Sequence, residues 1–241
     1  MSPLHRFADA DELARGAADR LLKALIALQK DGGIAQLCLT GGRIANLVYT
    51  RLGALVEDSA LDPKRLELWW GDERFIPTED PDRNAGPTLA VMAGQFPLDP
   101  ARTHPMPAAD GVADNAASAA TYGKELDDTV FDICLLGLGE DGHVASVFPE
   151  HASFDNTSHT VIAVNDAPKA PAQRISLSIP AINRSRQVWF LVSGEEKAPA
   201  LARAIAGDRS IPAGVARGTE NTLWLVDAAA ASGMEYYHCS F

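Results

Sequence analysis

FDICLLGLGEDGHVASVFP, residues 131–149, decides the reading of this chain. The apolar run Ile133-Cys134-Leu135-Leu136 has the length of a buried strand. Gly137, Gly139 and Gly142 follow and let the backbone turn tightly or approach a ligand closely. Glu140, Asp141 and His143 lie among them, and Val144 to Phe148 reads as a short helical turn stopped by Pro149. A strand that ends in a glycine-rich loop carrying Asp and His is where an open α/β sheet places a ligand.

Similar stations recur along the chain. Asp9 to Asp31 predicts a first helix, with Asp9 and Glu12 as a capping box and Leu13, Ala17, Leu21, Leu25 and Leu28 on one apolar stripe. Ile34 to Leu39 predicts a core strand running into Thr40-Gly41-Gly42-Arg43, with a helix over about 44–57. A strand, a Gly-Gly turn and a helix start form a plausible phosphate cradle, because free N–H groups and the helix dipole converge there. Arg65 to Trp70 predicts a strand leading into Gly71-Asp72-Glu73-Arg74; these charges fit either a ligand site or a solvated turn with a local ion pair.

Residues 76–115 read as loops around one helix near 86–95, in part a cover for the site. Asn84 could hydrogen-bond a ligand but reads rather as a turn residue, and His104 as structural or exposed. A helix over about 113–126 precedes the opening strand. Beyond Pro149, the residues from His159 to Val164, Arg174 to Ile179 and Gln187 to Val192 predict strands. Ser193-Gly194-Glu195-Glu196 then reads as a capping box for a helix reaching about Ala206, with Lys197 in its first turn, where the dipole disfavours a cation unless an anion is bound. Thr222 to Val226 predicts a last strand and Ala228 to Ser232 a short tail.

Composition narrows the partners. With 46% hydrophobic and 22% charged residues the chain reads as an ordinary globular domain, spanning 1–241 without a visible boundary. No apolar run reaches the roughly 20 residues of a membrane span, and the N-terminus lacks an apolar signal core, so we expect a cytoplasmic protein without membrane contact. A net charge of −11, from 21 basic and 32 acidic residues, speaks against nucleic acid. It leaves room for an anionic small molecule held by a few converging cations. Cys38, Cys134 and Cys239 fit no zinc spacing and read as free thiols.

Four stations, TGGR at 40–43, GDER at 71–74, GLGEDGHVASVFP at 137–149 and SGEEKAPAL at 193–201, together resemble the 6-phosphogluconolactonase family. The segment APKAPAQRISLSIPAINRSRQVWFLV, 167–192, is similar to that family's pattern as well. The resemblance implies an α/β fold: a modified Rossmann-like, mostly parallel sheet flanked by helices. That sheet is shared with glucosamine-6-phosphate deaminases and ribose-5-phosphate isomerases. The resemblance also implies hydrolysis of 6-phosphogluconolactone to 6-phosphogluconate, in the oxidative pentose phosphate pathway, without metal or organic cofactor. The chain departs from the family at the phosphate loop, which there reads close to Ser-Gly-Gly-Ser-Thr-Pro. Here Arg43 and Ile44 replace the two hydroxyl residues, leaving backbone N–H groups and a guanidinium capable of a bidentate phosphate contact.

Lactone hydrolysis needs an activated water, a stabilised oxyanion and a protonated leaving oxygen. A histidine suits the proton transfers, and we expect His143 to be the base. Asp141 is a candidate to orient its imidazole, and Asp72 is a second candidate for orientation or proton handling. Arg74 reads as a substrate or oxyanion contact, or else as a local ion-pair partner. Arg174 and Lys197 are the expected phosphate anchors with Thr40, Gly41, Gly42 and Arg43, and Lys169 is a weaker neighbour. No metal site is expected. The letters G-L-G-E-D-G at 137–142 match a dinucleotide fingerprint, but no long helix follows. A deaminase would carry Ala-Phe-Asn-Glu-Pro after its Gly-His, whereas Ala145-Ser146-Val147-Phe148-Pro149 lacks the glutamate. A non-catalytic sugar-phosphate sensor is a third reading. The sequence leaves the oligomeric state open, a monomer included.

Overall fold

The computed structural model describes residues 3–234. In chain order the elements are β1 (Leu4–Phe7), α1 (Ala10–Gln29), β2 (Ala35–Leu39), α2 (Arg43–Val56), β3 (Leu66–Trp70), β4 (Asp72–Arg74), α3 (Ala85–Ala93), β5 (Thr103–His104), α4 (Asn115–Leu126), β6 (Ile133–Leu136), β7 (Val161–Val164), β8 (Arg174–Leu177), α5 (Ile179–Ile182), β9 (Gln187–Val192), α6 (Ala198–Ile205) and β10 (Asn221–Asp227). Seven strands form one parallel sheet in the order β1-β10-β9-β6-β2-β3-β5. Its central strands β6 and β2 are almost wholly buried, as a sheet covered on both faces requires.

The chain leaves β2 for β3 on one side and later places β6 on the other. This reversal opens a crevice at the C-terminal ends of β2 and β6, where Thr40-Gly41-Gly42 and Gly137 begin their loops. Beside it lies a small antiparallel sheet, β4-β8-β7. Its register sets Asp72 opposite Ser176 and Arg74 opposite Arg174. Alternation along each strand puts these four residues on one face.

Some expectations need correction and others hold. Asp72–Arg74 is a strand, not a solvated turn, because β8 pairs with it. Glu73 is fully buried; it accepts backbone N–H groups from Arg74, Asn84 and Ala85 and pairs with Arg83 at 3.5 Å. It thereby anchors the chain at the start of α3. Val144 to Val147 is a reverse turn closed by a 2.9 Å hydrogen bond, not a helical turn, with Ala145 at φ 48°. Ser193 does not cap a helix: its hydroxyl donates to Asp227 at 2.6 Å, and a 3-10 turn over Glu195–Lys197 precedes α6. In α1 Asp9 does accept from the Glu12 N–H, while Glu12 reaches back to Ala8. His104 bridges Glu67 and Glu125 and stacks on Trp69 at 3.9 Å. Cys38 and Cys134 are buried free thiols on neighbouring strands; Cys239 lies outside the described residues.

Candidate active site

A cleft of about 500 Å³ occupies the crevice. Thr40, Gly41, Gly42 and Arg43 form one wall, and Asp72, Arg74 and Arg174 another. Gly137, Gly139 and His143 lie at its base, with Lys197 beyond β9. Nine of the ten sequence-predicted site residues thus line one space. The tenth, Asp141, stands behind His143 and bonds its Nδ1 at 2.5 Å.

The loop after β6 is shaped for this pair. A Cβ on Gly139 would collide with His143 Nδ1 and the Asp141 carboxylate, so only glycine leaves room for them. Gly142 has φ 91°, and a Cβ there would meet Ile211 at 2.8 Å. Burial opposes the charge on Asp141, but the hydrogen bond and charge of His143 outweigh it and hold the carboxyl well below the usual carboxylate range. A carboxylate on Nδ1 fixes that nitrogen as the N–H donor and leaves Nε2 as the basic lone pair. Among the described residues no partner occupies Nε2.

Arg174 is 5% exposed, yet it forms no ion pair among the described residues. Its Nε donates to Pro171 O, its Nη2 to Lys169 O and Ala170 O, and its Nη1 to Ser146 Oγ at 3.4 Å. Burial lowers its pKa, Asp72 opposes that shift and Arg74 adds to it. Two arginines directly opposite on paired strands repel, and the Asp72 carboxylate offsets part of the cost. Arg74 Nη1 donates to Asp82 O and to Asn84 Oδ1 at 2.6 Å, while its buried Nε has no hydrogen-bond partner among the described residues. Arg43 is exposed at the start of α2, where Gly42 at φ 104° provides no side-chain cap. The first N–H groups of that helix therefore have no internal acceptor. Lys197 makes only a 3.6 Å pair with Glu140, which is itself 60% exposed.

Ser146 joins this cluster without any sequence signal, while Asn84 and Lys169, the weaker sequence candidates, line the cleft as well. Ser146 is fully buried and donates to Asp72 Oδ2 at 2.7 Å. Asn84 Nδ2 donates to the Asp72 backbone O at 2.9 Å and to its carboxylate Oδ1 at 3.4 Å, and its own Oδ1 touches the space a Cβ on Gly41 would fill. Together they suspend the Asp72 carboxylate between the two arginines. Sequence spacing offers no signal for this, since Ser146 and Asp72 lie 74 residues apart. Among the described residues no three His, Cys, Asp or Glu side chains gather as a metal site would need. No helix among them is long and apolar enough to cross a membrane.

Among curated proteins, the chain is 45% identical to a 6-phosphogluconolactonase of Streptomyces coelicolor, covering 95% of this chain and 92% of that protein. It is 38% identical to a 6-phosphogluconolactonase of Mycobacterium tuberculosis, over 96% and 98% of the two chains. Its fold is similar to the crystal structure of a 6-phosphogluconolactonase from Thermotoga maritima, with TM-score 0.81 at 24% identity, covering 94% and 100%. A monomeric glucosamine-6-phosphate deaminase shares the fold too, with TM-score 0.80 at 22% identity, covering 96% and 99%. Residues 8–224 match the family model described as glucosamine-6-phosphate isomerases/6-phosphogluconolactonase, and the chain belongs to that family.

Proposed function

We propose that this protein hydrolyses 6-phosphogluconolactone to 6-phosphogluconate, the lactone-opening step of the oxidative pentose phosphate pathway. The observation that carries the reading is a His143–Asp141 pair at 2.5 Å opening onto a cleft with a buried arginine that has no ion pair among the described residues. The relatives named 6-phosphogluconolactonase support it.

In this reading the substrate phosphate sits against the α2 N-terminus, Arg43, Arg174 and Lys197. A phosphate carries about two negative charges near neutral pH, so several cations suit it. His143 Nε2 takes a proton from water, and the hydroxide attacks the lactone carbonyl carbon. Asp141 holds the ring and compensates the imidazolium. The Arg74 guanidinium, which lines the cleft, offers its positive charge to the developing oxyanion. On collapse the carbonyl re-forms and the ring C–O bond breaks. The imidazolium gives its proton to the departing ring oxygen, and the new acid ionises. Asp72, held by Ser146 and Asn84, fixes the substrate hydroxyls. Every group comes from one copy of the chain, so a monomer suffices, and a diffusible sugar phosphate fits a cytoplasmic enzyme.

The test is acid release from freshly made 6-phosphogluconolactone, measured against its spontaneous hydrolysis. Acceleration by the purified protein is expected. No acceleration overturns the reading, and ammonia release from glucosamine 6-phosphate would move the assignment to the deaminase branch.

A further inference from the structure

Phe148 closes the loop that carries His143. Its ring is fully buried, with its backbone N–H donating to Ser153 Oγ at 3.0 Å. A residue so placed in a loop would ordinarily be explained by packing alone. Its neighbours are unusual, however. The His143 imidazole lies against it, with ring centroids 4.7 Å apart and planes at 43°. The Arg174 guanidinium stands over its face, with the carbon 5.6 Å from the centroid. On another side His151 meets it edge-on at 6.0 Å.

Each of the two functional side chains is otherwise incompletely fixed. Asp141 holds His143 at one nitrogen, which still allows the ring to swing about that contact. Arg174 has only neutral oxygen acceptors among the described residues, and the Asp72 carboxylate acts on it through space without a direct ion pair. An aromatic face answers both needs. It sets the plane of the imidazole, and its negative quadrupole attracts the cation at a distance inside the roughly 6 Å where such contacts count.

We infer that Phe148 is a positioning residue that locks His143 and Arg174 into one unit, fixing the distance between the proton-transfer group and the anion anchor. This rests on the roles proposed for those two residues. The ring does not touch the cleft, so it acts only through them.

Fluorinated phenylalanines provide the test, because they keep the shape of the ring while draining its negative face. Proteins carrying one, two and three ring fluorines at position 148 are compared with the natural protein. The KM for 6-phosphogluconolactone is expected to rise stepwise, about fivefold over the series, as the Arg174 contact weakens. The melting temperature serves as the control for packing. A flat KM across the series overturns the inference. Phe148→Leu, assayed where it is folded by circular dichroism, should also lose about tenfold in kcat as the imidazole plane loosens. A folded Leu variant with unchanged kcat and KM overturns it likewise, since a residue that only filled space would behave so. His143→Ala and Arg174→Ala separate the two levels. If both impair the enzyme while the Phe148 series is flat, only this inference fails. If neither does, the underlying site assignment fails.

Discussion

Replacing Ser146 by alanine removes one oxygen from a site where that oxygen has a defined task. The hydroxyl donates to Asp72 Oδ2 at 2.7 Å, and both residues are buried, at 0% and 7% exposure. A hydrogen bond to a charged group contributes about 1.5–3 kcal/mol. Asp72 lines the cleft, so water can reach part of the freed carboxylate and reduce the loss. The weak 3.4 Å contact from Arg174 adds little. The net cost is therefore about 1–2 kcal/mol, which for a chain of this size lowers the melting temperature by about 3–6 °C. Function should suffer more than stability suggests, because a carboxylate freed on one side rotates away from the substrate. We expect kcat/KM for 6-phosphogluconolactone to fall about tenfold. Thermal unfolding and initial-rate kinetics on the same preparation measure both. A melting shift below about 1 °C with kcat/KM within about twofold would refute the reasoning, since those values correspond to a bond of negligible worth.

Other perturbations reach neighbouring parts of the site. Gly139→Ala places a methyl where His143 and Asp141 meet, so turnover should fall by about a hundredfold or more while circular dichroism stays native. Arg43 is exposed and has no side-chain partner among the described residues; Arg43→Ala should leave the melting temperature unchanged and raise KM several-fold, and an unchanged KM would remove it from phosphate binding. The Asp141 carboxyl is depressed in the folded state, so its stabilisation is complete above the unfolded value near about 4 and is lost as pH falls through the folded one. The stability gap between wild type and Asp141→Asn should accordingly be constant above about pH 5 and shrink below about pH 4, as urea titrations at several pH values can measure.

The parts of this molecule that could be read from sequence are those where local chemistry and tertiary need agree. Gln187–Val192 has the length and apolarity of a buried parallel strand and is one. Asp9 announces α1 because its carboxylate does cap that helix. The loop after β6 is legible because three glycines, an aspartate and a histidine have few structural reasons to be together. What was hidden depends on distant partners. Leu4–Phe7 is too short and mixed to declare itself, and becomes a strand by pairing with β10 at the other end of the chain. Asp72–Arg74 looks like a polar turn until β8 arrives to pair with it. Ser193 had a helix to cap but bonds Asp227 instead. Within the site, the charged and glycine positions were visible as residue types. Ser146 and Phe148 were not, because their importance lies in contacts to Asp72 and Arg174 that only folding creates.

The central claim is that His143, oriented by Asp141, activates water for lactone opening. The most direct measurement is the kcat of His143→Ala on fresh 6-phosphogluconolactone, corrected for spontaneous hydrolysis, with circular dichroism to confirm the fold. General-base catalysis contributes about 10²–10⁴-fold, so a loss of at least about a hundredfold is expected. A folded variant that turns over at near wild-type rate would contradict the claim and pass the role to another group in the cleft, Asp72 first.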